Sequence, residues 1–189
     1  MFWETLNITK KSSQTKIKFD ICKVTSTWVD VAYPDFPTGH LFIGVDPGVN
    51  FGITIISETV LEVVYGKLPH KDKFVGKESE QLIQQMDKEY QFSRYYKPDQ
   101  LHVYVESAAF KSQYGQVLLE QIRYGFVQGF TPFVKPENLQ YIPPSTARKK
   151  AFGNGNLSGK DLFPNINNNG ADSIGVALAC IVDYLEQLA

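Results

Sequence analysis

Apolar and polar side chains alternate twice in the first forty residues, at Ile17, Phe19 and Ile21 and again at Val29, Val31 and Tyr33. A period of two marks a strand with one buried face, so two short strands are predicted. Pro34, Pro37 and Gly39 then interrupt the chain, separating an N-terminal extension, 1–39, from a main domain, 40–189. Leu41 to Val45 is apolar throughout, as in a strand covered on both faces, with Gly48 and Gly52 flanking a tight turn beyond it. Phe51 to Ile56 and Val60 to Lys67 complete a three-strand meander. Leu82, Ile83, Met86 and Tyr90 step at helical spacing, and Leu101 to Val105 is a short strand. Leu118, Ile122 and Phe126 mark a second helix, and Leu139 to Ile142 a strand that Pro143-Pro144 stops. The strongest helical period runs through Ala171, Ile174, Ala177, Leu178, Ile181, Leu185 and Leu188. Three strands, helix, strand, helix, strand, helix is a mixed-sheet α/β order.

Composition narrows the class without naming a chemistry. A chain of 189 residues with 43% hydrophobic content suits one main core. No run approaches the roughly 18 apolar residues of a membrane span, and Met1-Phe2-Trp3-Glu4 lacks a secretory plan. Cys22 and Cys180 have neither metal nor disulfide-framework spacing, so a cytoplasmic, reducing compartment is expected. The net charge is −1, but residues 107–160 carry seven Lys or Arg against two acids, the rest twelve against eighteen. That basic stretch reads either as a solvated face or as a nucleic-acid surface.

Three acids end or open predicted elements. Asp46 follows the first buried strand and precedes Pro47-Gly48, Glu106 ends the strand after Val105, and Asp172 opens the last helix. Each has a plain structural alternative: a turn aspartate, an exposed strand-end acid, and an N-terminal helix charge. Together they would concentrate negative charge at one sheet edge, where cations or protonation make it tolerable. At about 100° per residue, Asn168 and Asn169 would lie within roughly 60° of Asp172 if the helix reached back to them. An Asp after a first strand followed by glycines also occurs in actin-type nucleotide-binding domains, but the chain is short for their paired domains. Ser145 and Thr146 have no suitably placed His, so a nucleophilic hydrolase is not supported, and His40, His70 and His102 match no motif.

In order, the stretches Ile43-Gly44-Val45-Asp46-Pro47-Gly48 with Gly52, Val103 to Glu106, and Glu120 to Gly125 resemble the RuvC family of Holliday junction resolvases. Pro144 to Lys150, Gly153-Asn154-Gly155, Lys160, and Ala171 to Ala177 continue the likeness, which spans about Leu41 to Leu188. The resemblance implies an RNase H-like fold, a mixed five-stranded sheet flanked by helices, preceded here by the extension. It implies that Asp46, Glu106 and Asp172 hold two Mg²⁺ ions, with Mn²⁺ a substitute, and that phosphodiester cleavage leaves a 5′-phosphate and a 3′-hydroxyl. Hard oxygen donors suit such ions, and a metal pair can serve both the attacking and leaving oxygens.

The family's fourth acid or His falls at Asn169, whose amide can ligate but carries no charge; Asn168 and Asp161 are substitutes. Lys149 matches the strand-proximal catalytic lysine, and Arg148, Lys150 and Lys160 match phosphate-binding bases. Phe110, with Lys111 and Tyr114 nearby, matches the DNA-facing loop, where an aromatic on an unpaired base stabilises by about 1–3 kcal/mol. For Phe110 and Tyr114 a core role stays open, as does a solvated loop charge for each lysine. The implied partners are four-way junctions, a second copy of the chain paired through the helix from Gln113 to Gly129, and a branch-migration motor. A bacterial or phage-infected cell is the expected setting. Two alternatives stand beside junction resolution: cleavage of flaps, forks or other branched DNA, and a catalytically weak junction-binding module.

Overall fold

The computed structural model describes residues 7–8, 12–33, 35–69, 75–107, 115–153, 158–162 and 164–189. The predicted DNA-facing residues Phe110, Lys111 and Tyr114 lie outside them, as does His70. In chain order the strands are β1 (Asn7–Ile8), β2 (Ser13–Lys18), β3 (Lys23–Ala32), β4 (Leu41–Asp46), β5 (Asn50–Ile56), β6 (Val60–Lys67), β7 (Leu101–Glu106) and β8 (Leu139–Ile142). The helices are α1 (Val75–Tyr90), α2 (Phe92–Tyr95), α3 (Gln116–Phe130), α4 (Pro144–Phe152), α5 (Gly159–Leu162) and α6 (Asn168–Leu188).

The fold is α/β, with a mixed sheet ordered β1-β3-β6-β5-β4-β7-β8 and β2 also paired to β3. The β4–β5–β6 meander is antiparallel, while β7 and β8 join β4 in parallel. Apolar runs explain the middle of the sheet. Every residue of β4 and β7 is buried except the terminal Asp46 and Glu106, which are half-buried. Alternate side chains feed two cores. Ile43, Val45, Val103 and Val105 pack with Ile83, Met86, Ile122 and Phe126 of α1 and α3. Phe42 and Tyr104 pack with Ile174, Ala177, Leu178 and Ile181 of α6 and with Ala147, Ala151 and Phe152 of α4.

The described residues ahead of Leu41 supply three strands where the alternation predicts two, and β3 pairs along the outer edge of β6. The pairing covers an otherwise open sheet edge. It is fastened through Glu62, whose carboxylate accepts hydrogen bonds from Ser26 Oγ on β3 and, at 2.6 Å, from Tyr90 Oη on α1. No described helix is long and apolar enough to cross a membrane.

Two departures from the sequence reading bear on the site. Pro143-Pro144 does not merely stop β8, because Pro144 starts α4; its fixed φ and missing N–H suit a first helical position. The last helix also starts earlier than Ala171. Its N-cap is Asn167, whose side chain accepts from Gly170 N at 2.8 Å. A cap of this kind contributes about 1 kcal/mol, and it leaves Asp172 a full turn inside the helix, with no capping duty.

Candidate metal centre

Where Asp46, Glu106 and Asp172 lie follows from strand register and two close approaches. The parallel ladder pairs Val45 with Val105, so the next residues, Asp46 and Glu106, end neighbouring strands side by side. Both fall on the same face as Gly44, one residue out of step with Val45 and Val105 in the opposite core. A Cβ at Gly44 would overlap the backbone of Ser173 and Ala177, and one at Gly52 would overlap the carbonyl of Asn169. Gly52 is the antiparallel partner of Asp46. Moving two residues along β4 therefore moves the contact backward along α6. The helix runs antiparallel to β4 and brings its first turns to the end of the strand that carries Asp46. Thr54 Oγ1 and Ser173 Oγ, 2.7 Å apart in the buried seam, fix the helix's position on the sheet.

Electrostatics shows the three carboxylates acting on one another. Burial pushes the Asp46 carboxyl up to about 8, and the charges of Glu106 and Asp172 push the same way. Glu106 rises to about 7, first through burial and then through Asp172. Two arginines oppose both shifts, Arg123 and Arg148. Arg123 is buried on α3; its Nε donates to the Glu106 carbonyl at 2.9 Å and its Nη1 to Glu120 Oε1 at 2.6 Å. Arg148, on α4, donates from Nη2 to Asp172 Oδ1 at 3.0 Å.

The remaining expected site residues divide. Asn169 lies in the first turn of α6, half-buried, with its backbone against Gly52 and one helical turn before Asp172. Asn168 is exposed beside it. Lys160 is exposed on α5, which packs on α6. Asp161 is not a spare ligand: its Oδ2 accepts from Ser158 N at 2.6 Å and from Ser158 Oγ at 3.2 Å, closing the start of its own short helix.

Lys149 and Lys150 are not brought to the acids. Lys149 lines a groove of about 890 Å³ with Ser145, Thr146, Val182, Leu185 and Glu186. Lys150 pairs with Asp183 and, at 3.2 Å, with Glu186. Asp183 is eleven residues beyond Asp172, roughly 16 Å along the helix. Consecutive helical residues point about 100° apart, so only one side of α4 can face the acids, and that side presents Arg148.

No protein-family model matches the chain, and none of the curated proteins does.

The donor types suit a hard divalent cation: carboxylates from two strand ends and one helix lie toward one end of the sheet. The raised affinity of Asp46 and Glu106 for protons marks a place where added positive charge is favoured. Among the described residues, no three His, Cys, Asp or Glu side chains form a group that could hold a metal ion, and Asp172 is held by Arg148. The donor chemistry suits such ions, but among the described residues the side chains are not gathered into a group that could hold one. Arg123 is the contributor that sequence reasoning missed. Its stretch, Glu120 to Gly125, belonged to the resemblance, but nothing in an amphipathic pattern announces a buried arginine.

Proposed function

We propose that this chain is a metal-dependent, structure-selective endodeoxyribonuclease that resolves four-way DNA junctions by paired nicks. The placement of Asp46 and Glu106 at neighbouring strand ends, with Asp172 close enough for its charge to act on both, carries the reading. The sheet supports it too. From Leu41 onward the strand order is β6-β5-β4-β7-β8 with only β5 antiparallel to β4, the order expected of an RNase H-like five-stranded unit. In that reading β1 to β3 are an addition along its outer edge.

Bound divalent ions would supply the positive charge that activates a water and steadies the leaving 3′ oxygen. Asp46 and Glu106 would hold them from the strand ends and Asp172 from the helix, with Asn169 contributing a neutral oxygen. Because both strands are buried along their length, the two carboxylates have little freedom, and preorganised ligands cost no reordering when substrate arrives. Arg123 holds α3 to the end of β7 and limits the repulsion that Glu106 would otherwise feel. Lys160, exposed on α5, and Arg148 would meet phosphate in this reading. Lys149 is withdrawn from a catalytic role.

Two symmetric cuts call for a two-fold homodimer. The α3 helix supports such pairing, since Val117 and Tyr124 are exposed on it and Tyr141 is exposed on the neighbouring edge strand. The testing experiment uses a labelled mobile four-way junction and a flap of matched length, each with Mg²⁺ at one salt concentration. Paired symmetric nicks on the junction alone are expected. Faster cutting of the flap would move the substrate to other branched DNA. Tight junction binding without any cutting, in Mg²⁺ or Mn²⁺, would leave a binding module.

A further inference from the structure

Arg148 stands in the acidic site as a cation already in place. Its guanidinium donates to Asp172 at 3.0 Å, and its charge is felt at Asp46 and at Glu106. Its helix is anchored independently, because Ala147, Ala151 and Phe152 are buried against α6. The side chain itself is half exposed, 50% against 30% for Asp172, so it can swing away without disturbing the core. The two lysines that follow it face the far groove and Asp183.

We propose that Arg148 is a built-in counter-cation of the acidic site, which a divalent ion must displace from Asp172 in order to bind. The proposal rests on the nuclease reading and concerns how that site is loaded. A guanidinium stays protonated at any working pH, so it cannot release Asp172 by titration; it has to move. It carries one charge and satisfies one of the three carboxylates. A divalent ion carries two and accepts oxygens from several carboxylates at once, which is why the exchange can run toward metal. Until it does, the pairing keeps Asp172 from completing a ligand array. Arg148 thereby sets a threshold: the site stays charge-balanced at low divalent concentration and opens its third ligand only when metal competes.

The test is calorimetric titration of metal-free full chain with Mn²⁺, comparing wild type with Arg148→Gln, Lys149→Gln and Asp46→Asn. Arg148→Gln is expected to bind Mn²⁺ about five- to tenfold more tightly, the gain from removing a competing charge a few ångströms away. Lys149→Gln removes the same unit of charge from the next residue and is expected to change affinity less than about twofold. Equal or weaker binding by Arg148→Gln overturns the proposal, as does an equal gain in both variants, which would make it a general charge effect. Failure of the nuclease reading has a different signature. If neither wild type nor Arg148→Gln takes up Mn²⁺, the reading and the proposal fall together. If wild type binds and Asp46→Asn does not, while Arg148→Gln matches wild type, only the proposal falls.

Discussion

Opposite ends of β4 and β7, joined by the same helix, hold polar side chains in opposite condition. At the end where the strands begin, His40 Nδ1 lies 2.9 Å from His102 Nε2, and Tyr184 Oη lies 3.2 Å from His40 Nε2. His40, His102, Phe42 and Tyr184 pack ring against ring. Next to Tyr184 on α6, Asp183 accepts from Tyr104 Oη at 2.8 Å and pairs with Lys150. Every group named there has a complementary partner. At the other end Asp172 is paired with Arg148, while Asp46 and Glu106 are pushed up by burial and then by neighbouring acids, with two arginines opposing the shift. A satisfied polar cluster stabilises a fold; a self-repelling one is tolerated where a ligand relieves it. Under the proposed function the difference separates a structural end from a functional one, although the same three elements build both.

The largest expected effect is on cutting. Asp46→Asn removes one charged ligand and should lower junction cleavage about 10²- to 10³-fold or more, as measured by single-turnover assay. Asp183→Asn, at the other end, should leave cleavage within about threefold. Equal losses would erase the distinction between the ends.

Next in size is packing. Gly52→Ala places a methyl group against the Asn169 carbonyl and should cost about 1–3 kcal/mol in urea unfolding, since the helix must back away from the strand. Because Gly52 pairs with Asp46, the shift should also weaken metal uptake.

The two ends should then respond to charge removal with opposite signs. Without metal at pH 8, Asp46→Asn should stabilise the fold by about 1 kcal/mol, because it relieves repulsion and burial of charge. Asp183→Asn should destabilise it by about 1–2 kcal/mol by weakening the bonds from Tyr104 and Lys150.

Smallest, and sharpest in sign, is the dependence on pH. Asp46 and Glu106 are raised to about 8 and about 7 in the fold. Their contribution to metal-free stability is therefore complete below the ordinary carboxylate range and is lost as pH rises through 7 and 8. His102 is lowered to about 4, by burial first and then by His40. Its contribution is complete above the ordinary 6.5 and is lost as pH falls through 4. Urea midpoints across pH should fall on both sides, with Asp46→Asn flattening the alkaline limb and His102→Gln the acid limb.

The meander, β7, α1, α3 and most of α6 were legible because each buries a periodic face, and periodicity is what a sequence displays. Asp46 and Glu106 were legible for the same reason, as the polar residues that end apolar runs. The α4 helix was hidden by Pro143-Pro144 and by its modest apolar face of Ala147, Ala151 and Phe152. With α4 unseen its rotation was unknown, so the side of the helix that presents Arg148, rather than Lys149, to Asp172 could not be read. Burial of Arg123 and the meeting of His40 with His102, 62 residues apart, depend on tertiary packing that local pattern does not encode. The first strands were legible as alternation, but their pairing along β6 is a long-range choice.

Crystals soaked in Mn²⁺ and measured at the manganese absorption edge test the central claim most directly. Anomalous density should appear within coordination distance of Asp46, Glu106 and Asp172, with Arg148 turned from the helix. Density confined to other carboxylates, or none at millimolar Mn²⁺ with the Arg148–Asp172 pair intact, would contradict the account.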